Sequence, residues 1–379
     1  MPTWLVSASG EVGTKRSGTQ RDLKLLLARN FESRAAALGL RFSWKEERGR
    51  FLVEGPEELL SLLRSHIGLG SVSPLWRLPR NDPDSALDWE RLLPARPFTY
   101  TVYVERFVDP AAKEAGLAFK KKLLERLEAE ARKRLQTAWD NHPPEQLSWR
   151  LEVYEEEFWL LTDRLRTPGG LPVGCGEKVL VLFSGGPDSL LASYLLARRG
   201  QEIELVLFDD GEEGRFELVK KAASALAFFC PGLEIRLWRA DYRPVLASLE
   251  EMVPQRERCF FCKASMVTLA TSLFEKTGAK AVATGEILGE QASQTLPGLL
   301  FTAAGAPVLR PVVALNKEDV FSFLREAGLE EVSSLPLPSC PFAPKRPRTR
   351  PSKDQAVLRR LLRRLKKPSF EAHLCRYQP

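Results

Sequence analysis

The chain has 379 residues, 44% hydrophobic and 28% charged, which describes a globular protein of two or three domains and excludes a disordered one. No apolar run approaches the ~18–20 residues that cross a bilayer, and Met1–Ser7 shows no signal peptide, so a cytoplasmic protein without a membrane partner is expected. Six cysteines are too few for a disulfide framework, and a net charge of +7 is compatible with a polyanionic partner without requiring one.

Residues 1–80 read as a strand at Trp4–Ser7, a Gly/Lys/Arg loop from Gly10 to Gly18, a leucine-rich helix Asp22–Leu38, a strand Arg50–Glu54 and a helix over 56–65. Residues 81–166 open on Asn81-Asp-Pro-Asp. An alternating strand at 98–105, a long charged helix over 111–138 and a hairpin-like pair, Leu147–Tyr154 and Glu157–Thr162, follow. Residues 167–177 form a Pro/Gly linker. From 178 to 379 buried strands alternate with helices. The strands are Val179–Phe183, Glu204–Phe208, Glu234–Ala240, Lys280–Thr284 and Val308–Pro311. The helices are Asp188–Arg199, Arg215–Phe229, Pro244–Met252, Lys263–Lys276 and Lys317–Ala327. Such alternation predicts an α/β domain with a parallel, doubly wound sheet, whose ligands bind beyond the carboxyl ends of the strands.

The first of these strands runs into Ser184-Gly-Gly-Pro-Asp-Ser189. Gly185 and Gly186 let the backbone turn tightly and approach a ligand with no Cβ in the way. The free N–H groups of the following helix suit an anion, and Ser184 and Ser189 add hydroxyl donors. No Gly-Lys-Ser/Thr follows, so this is not a Walker A loop. Two glycines alone would fit an ordinary serine-capped turn; the full hexapeptide at the first strand of an α/β domain points to phosphate. It resembles the PP-loop of ATP pyrophosphatases, which cleave ATP to AMP and pyrophosphate. Asp188 beside phosphate is repulsive unless a cation intervenes, which implies Mg²⁺.

Further on, Ala283-Thr-Gly-Glu-Ile-Leu-Gly-Glu-Gln-Ala-Ser-Gln-Thr-Leu resembles the signature after the fourth sheet strand of ThiI proteins, the tRNA 4-thiouridine synthetases. Leu309-Arg-Pro-Val-Val-Ala-Leu-Asn-Lys-Glu-Asp-Val is similar to the family segment that carries a lysine needed for adenylation. Gly169-Gly-Leu-Pro-Val-Gly resembles the family's link from its THUMP domain into the PP-loop domain, and Gly10-Glu-Val-Gly-Thr-Lys stands where the family has Gly-Glu-Ile-x-Leu-Lys. The resemblance is specific over 178–345 and looser before 167. It implies a ferredoxin-like domain over 1–80, an RNA-binding THUMP domain over 81–166 and, over 178–379, a PP-loop domain of the adenine nucleotide alpha hydrolase type. The implied activity is ATP-dependent conversion of uridine to 4-thiouridine in tRNA, at position eight. Asp188 and Lys317 are then catalytic, with Arg310 a second candidate for neutralising phosphate charge. Ser184, Gly185, Gly186, Asp188, Ser189, Gly285 and Gln294 line the nucleotide site.

Typical members pass sulfur as a persulfide from a C-terminal rhodanese domain, and a chain ending at Pro379 is expected to lack it. Cys259-Phe-Phe-Cys262 offers two thiols on one helix start, able to bind one metal centre. Cys340 stands at the place of the family's catalytic cysteine. The trio resembles the ligand set of [4Fe–4S]-dependent tRNA thiolases, which implies a cluster on Cys259, Cys262 and Cys340 fed by sulfide or by a donor such as a cysteine desulfurase. A structural zinc with a fourth ligand and thiol or disulfide chemistry stay open. Cys230 reads as a buried small hydrophobe, and Cys175 and Cys375 as incidental.

Charge is unevenly placed. Lys15 and Arg16 lie in the first loop, Lys120 and Lys121 on the long helix, and Lys345, Arg346, Arg348 and Arg350 after Cys340; all are candidate RNA contacts. The stretch 345–367 holds eleven Lys or Arg against one acid, Asp354. Apolar residues at 358, 361, 362 and 365 share one helical face opposite the arginines, so this helix could dock on phosphates, a membrane surface or a partner. A solvated face whose leucines pack on the core is the plainer alternative. A homodimer is left open. The competing functions are a 2-thiouridine or 2-thiocytidine synthetase built on the same loop, and a non-catalytic tRNA-binding protein. The signature at 283–296 favours the ThiI type, and the intact loop with Lys317 and three cysteines favours an enzyme.

Overall fold

The computed structural model describes residues 1–137, 143–303, 305–352, 355–365 and 367–378. Ala138, the expected last residue of the long helix, and Lys353, Asp354 and Lys366 of the basic stretch lie outside them. Two compact units are present. One comprises Met1–Gly10, Gly39–Arg64 and Leu69–Gly169; the other comprises Glu11–Leu38, Ser65–Gly68 and Gly170–Pro379.

The first unit is built on strands β1 (Thr3–Ala8), β2 (Ser43–Glu47), β3 (Arg50–Glu54), β4 (Leu69–Pro79), β5 (Phe98–Phe107), β6 (Glu145–Val153), β7 (Glu157–Leu161) and β8 (Leu165–Arg166). They form one sheet in the order β2-β3-β1-β4-β7-β6-β5, with β8 also on β4. Strands from 1–80 and from 81–166 therefore share hydrogen bonds through β4. The helix Pro110–Thr137 covers β5 and β6 and buries Phe119, Leu123 and Leu127 among Trp149, Leu151 and Phe158. β2 and the eleven-residue β4 are not evident in the sequence. Gly70, Ser71, Ser73 and Pro74 of β4 are turn-type residues, yet most of the strand is buried and Gly70 packs on Ala8, where a Cβ would stand 2.9 Å from its carbonyl oxygen.

The second unit contains β9 (Lys178–Leu182), β10 (Glu202–Asp209), β11 (Glu234–Asp241), β12 (Ala281–Ala283), β13 (Val308–Leu309) and β14 (Phe370–Arg376), in the order β13-β12-β9-β10-β11-β14. The five expected strands are parallel. β14 adds an antiparallel edge against β11. Cys375 lies in it, buried, and is a core residue rather than an incidental terminal one. The strands alternate with period two: Val179, Val181, Leu205 and Leu207 face one core, Leu180, Val206 and Trp238 the other. Helices cover both faces. The chain runs outward from β9 to β11 and then returns to β12 on the other side, so the order reverses at β9, where a doubly wound sheet opens its crevice.

The helix Ser17–Ala37, though encoded early, is part of this second unit. Asn30 Nδ2 donates to Val173 O (2.8 Å) and Arg34 Nη2 to Phe228 O (2.6 Å). His66 Nε2 donates to Leu27 O and His66 Nδ1 accepts from Arg34, which requires the neutral ring; burial and the Arg34 charge hold its pKa well below the usual value.

At the other end, the helix Gln355–Arg364 shows where the leucines of the basic stretch go. Leu358, Leu361 and Leu365 are buried in the core that also holds Phe260, Phe261 and part of Cys262. Its apolar face is occupied within the chain, so the leucines pack on the core, as the plainer alternative has it. Among the described residues, no helix is long and apolar enough to cross a membrane.

Candidate nucleotide and thiol site

β9 leads into a glycine turn at the crevice. Gly185 takes φ +79°, the region that favours glycine, and Pro187 opens the helix Pro187–Arg198 with its fixed φ. Hydroxyls brace the turn: Gly186 N–H donates to Ser184 Oγ (3.4 Å), Ser189 Oγ donates to Gly186 O (3.0 Å), and the two serine oxygens lie 3.3 Å apart. Gly285, just after β12, packs flat against this helix start. A Cβ there would fall 2.6 Å from the Asp188 carbonyl carbon and the Ser189 nitrogen. Gln294 is buried and closes its own loop: its side-chain oxygen accepts from Gln291 N–H (2.9 Å) and its carbonyl from Gly289 N–H (2.7 Å).

Lys317 begins the helix Lys317–Glu326 behind a capping box formed by Asn316 and Asp319. Its Nζ lies 2.7 and 2.8 Å from the two Asp188 oxygens and 2.8 Å from Glu290 Oε1. Burial and the neighbouring Glu290 push the Asp188 carboxyl up against the pull of Lys317. Burial also opposes the Lys317 charge, but the hydrogen bonds it donates to Asp188 and Glu290 outweigh it and raise its pKa. One ammonium thus serves two carboxylates above the turn. Glu290 was not singled out by sequence; its only signal is its place in the Gly289-Glu-Gln stretch.

Cys259 and Cys262 occupy the first turn of the helix Arg258–Thr271. Burial pushes the Cys262 thiol up to about 12, and Cys340 and Cys259 add to this; Cys259 is raised by burial and also by Cys340. The three sulfurs are therefore electrostatic neighbours, with Lys263 beside the pair acting in the opposite sense. Among the described residues, no three Cys, His, Asp or Glu side chains stand close enough to hold one metal ion. Tyr242 hydroxyl donates to Cys262 O (3.1 Å) and fixes the turn from below.

The segment after β12 links thiols to phosphate loop. Gly285 touches the loop, Glu286 Oε1 lies 3.4 Å from Lys263 Nζ, Lys263 also donates to Gln291 (3.3 Å), and Glu290 reaches Lys317. The Cys340 segment approaches from another side. Leu337 Cδ1 lies 3.6 Å from where a Gly185 Cβ would stand, and Arg215 Nη2 donates to Ser339 O (3.3 Å).

Two candidates change role. Arg310 Nε donates to Glu286 Oε2 (2.9 Å) and its Nη2 to Leu299 O (2.9 Å), which engages it in packing β13 rather than leaving it for phosphate. Arg348 Nη1 donates to buried Glu257 (3.1 Å), which also accepts from Ser352. With Arg348 N–H on Arg256 O (3.0 Å) and Arg256 Nε on Arg346 O (3.1 Å), the basic segment is strapped to the residues just before the cysteine helix. Lys345, Arg346 and Arg350 stay exposed, as do Lys15 and Arg16 before the helix Ser17–Ala37; on the long helix of the first unit Lys121 is exposed and Lys120 half-buried.

Comparison with known proteins accounts for this arrangement. The family model for the thiamine biosynthesis protein ThiI matches residues 174–360. A probable tRNA sulfurtransferase of Brevibacillus brevis is 31% identical over 324 residues, 80% of this chain and 78% of that protein. The chain belongs to the ThiI family. A second family protein, the probable tRNA sulfurtransferase of Thermococcus kodakarensis, is 28% identical over 89% of this chain and 91% of its own length. The match to that of Methanothermobacter thermautotrophicus is 36% identical and spans about half of either chain, 54% of each. The crystal structure of a 4-thiouridine synthetase–RNA complex with bound ATP superposes with a TM-score of 0.76 at 26% identity, covering 99% of this chain and 100% of that one. The second unit is thus the PP-loop fold of ThiI, and a THUMP domain precedes it.

Proposed function

We propose that this ThiI-family chain is an ATP-dependent tRNA sulfurtransferase that makes 4-thiouridine, at position eight. The supporting observation is the linkage of three parts through residues 285–291: the glycine turn, the Lys317–Asp188–Glu290 ion cluster and the helix of Cys259 and Cys262. The solved 4-thiouridine synthetase with RNA and ATP supports both tRNA and ATP as substrates.

The uracil O4 belongs to a vinylogous amide and leaves poorly; transfer of AMP from ATP to O4, with loss of pyrophosphate, makes it a leaving group. In this chain the turn at Gly185–Gly186 and the start of the next helix receive phosphate, with Ser184 and Ser189 as donors. Lys317 then carries positive charge to the phosphates as it releases one carboxylate, stabilising the charge that develops as pyrophosphate departs. Asp188 and Glu290, freed toward the nucleotide, suit Mg²⁺, which commonly takes one or two carboxylates plus phosphate oxygens. Gly285 and Gln294 shape the pocket by packing. Segments 1–80 and 81–166, as ferredoxin-like and THUMP domains, would hold the tRNA with Lys15, Arg16, Lys120 and Lys121.

Three thiols that act on one another electrostatically supply the soft donors of an iron–sulfur centre, whose irons would each take one thiolate, so that no single ion need be held by all three. A [4Fe–4S] cluster on Cys259, Cys262 and Cys340 would supply an iron left open for exogenous sulfide. Arg215 and Leu337 hold Cys340 toward the activated uracil. The test is anaerobic purification with iron and acid-labile sulfide analysis, then nucleoside analysis of tRNA after reaction with ATP and sulfide. Iron, sulfide and 4-thiouridine together support the assignment. Stoichiometric zinc with neither iron nor sulfide rejects the cluster, and 2-thiolated products reject the 4-thiouridine assignment.

A further inference from the structure

The helix Gln355–Arg364 presents four arginines, Arg359, Arg360, Arg363 and Arg364, all exposed and without an acidic partner among the described residues. At 100° per residue they span an arc of about 140°, opposite the leucines. Helix-dipole stabilisation accounts for Arg363 and Arg364, which lie in the last turn, but not for Arg359 and Arg360 one turn earlier. The pairs 359/363 and 360/364 are like charges at i,i+4, which destabilises a helix unless an anion intervenes. The leucine face is already buried in the core beside Phe260, Phe261 and Cys262, so this helix lies on the cysteine helix. The exposed Lys345, Arg346 and Arg350 belong to the strap fastened at Arg256, immediately before the same helix.

We infer that the arginine face of the helix Gln355–Arg364 is a phosphate-binding surface of the catalytic unit that grips the tRNA backbone next to the thiols. This rests on the tRNA-thiolating function proposed above and adds a contact surface on the PP-loop unit itself. Arginine suits it chemically, since its planar fork pairs with phosphate in bidentate fashion. An anionic membrane surface is the less favoured occupant, because a helix whose apolar face is buried has nothing to insert into lipid.

The experiment uses the full chain and the quadruple variant R359Q/R360Q/R363Q/R364Q, which leaves the leucine face intact; circular dichroism and thermal unfolding check its fold. Binding of unmodified tRNA is measured from 50 to 200 mM salt, and binding to phosphatidylserine vesicles in parallel. Four lost phosphate contacts should flatten the slope of log K against log salt by about 2–4 and weaken binding at least tenfold at low salt. A folded variant with an unchanged slope and affinity overturns the inference while leaving the proposed function standing. Vesicle binding by the native protein that the variant loses, with tRNA binding unaltered, also overturns it. If the native chain neither binds nor thiolates tRNA, the proposed function fails and this surface with it. If the variant misfolds, the single changes R359Q and R360Q, each expected to reduce the slope by about 0.7–0.9, decide the matter in the same assay.

Discussion

Replacing Gly285 by alanine probes how the phosphate loop is held. The added Cβ would sit 2.6 Å from two backbone atoms of Asp188 and Ser189 and 2.8 Å from the Asp188 carbonyl oxygen, about 0.8 Å inside ordinary 3.4 Å contact. These are backbone atoms at the start of the helix Pro187–Arg198, so no side chain can swing aside. The helix start or the segment after β12 must shift by most of that distance. Overpacking of this kind costs about 1–3 kcal/mol of stability, and misplacement approaching 1 Å costs up to ~100-fold in rate. Lys317 reaches Asp188 across the same junction, so AMP formation should fall more than stability does. The assay is tRNA-stimulated release of AMP from ATP, with the melting temperature measured beside it. Gly18→Ala, at a helical glycine with open space around it, is the control and should be neutral or slightly stabilising. Normal AMP release by the Gly285→Ala protein would mean that this contact does not set the position of the loop.

Lys317→Ala leaves Asp188 and Glu290 facing each other without their shared ammonium, and AMP formation should drop by about 100-fold or more; turnover at the native rate removes Lys317 from the mechanism. In metal-free protein Cys262, with its thiol at about 12, has a thiolate fraction near 10⁻⁴ at pH 8, roughly a thousandfold below an ordinary thiol. Its alkylation by iodoacetamide should therefore lag far behind that of exposed Cys340 and rise with pH up to about 12; equal labelling of the two at pH 8, read by mass spectrometry, contradicts the burial. Glu257→Ala removes the acceptor of Arg348 and Ser352 and so should release the strap. Trypsin cleavage after Lys345 and Arg348 should speed up severalfold with the rest of the fold intact, and an unchanged cleavage rate would show that the strap is held elsewhere.

The parts of this protein visible in the sequence are those whose physics is local. The glycine turn, its serines and Pro187 act within six residues, and the five parallel strands announce themselves as apolar runs. The thiol pair is likewise one helical turn. What stayed hidden depends on partners far along the chain. Arg310 and Arg348 looked like free phosphate ligands because Glu286 and Glu257, which engage them, lie 24 and 91 residues away. Glu290 gains meaning only once folding brings Lys317 to it. β4 is concealed by glycine, serine and proline that burial overrides, and β14 by its place at a charged tail. Leucines opposite arginines on the last helix left docking and core packing both open; packing against Phe260 and Phe261 shows the leucine face filled.

The early helix Ser17–Ala37 has a consequence for how the catalytic body comes into being. Its hydrogen bonds to Val173 and Phe228 span 143 and 194 residues, so on the ribosome it waits, already made, for acceptors synthesised much later. Phe31 and Leu27, fully buried in the finished protein, stay uncovered during that interval. A fragment cut at the Pro/Gly linker lacks this helix altogether. Expressed alone, residues 178–379 should be poorly soluble, and co-expression with the missing N-terminal piece should restore them.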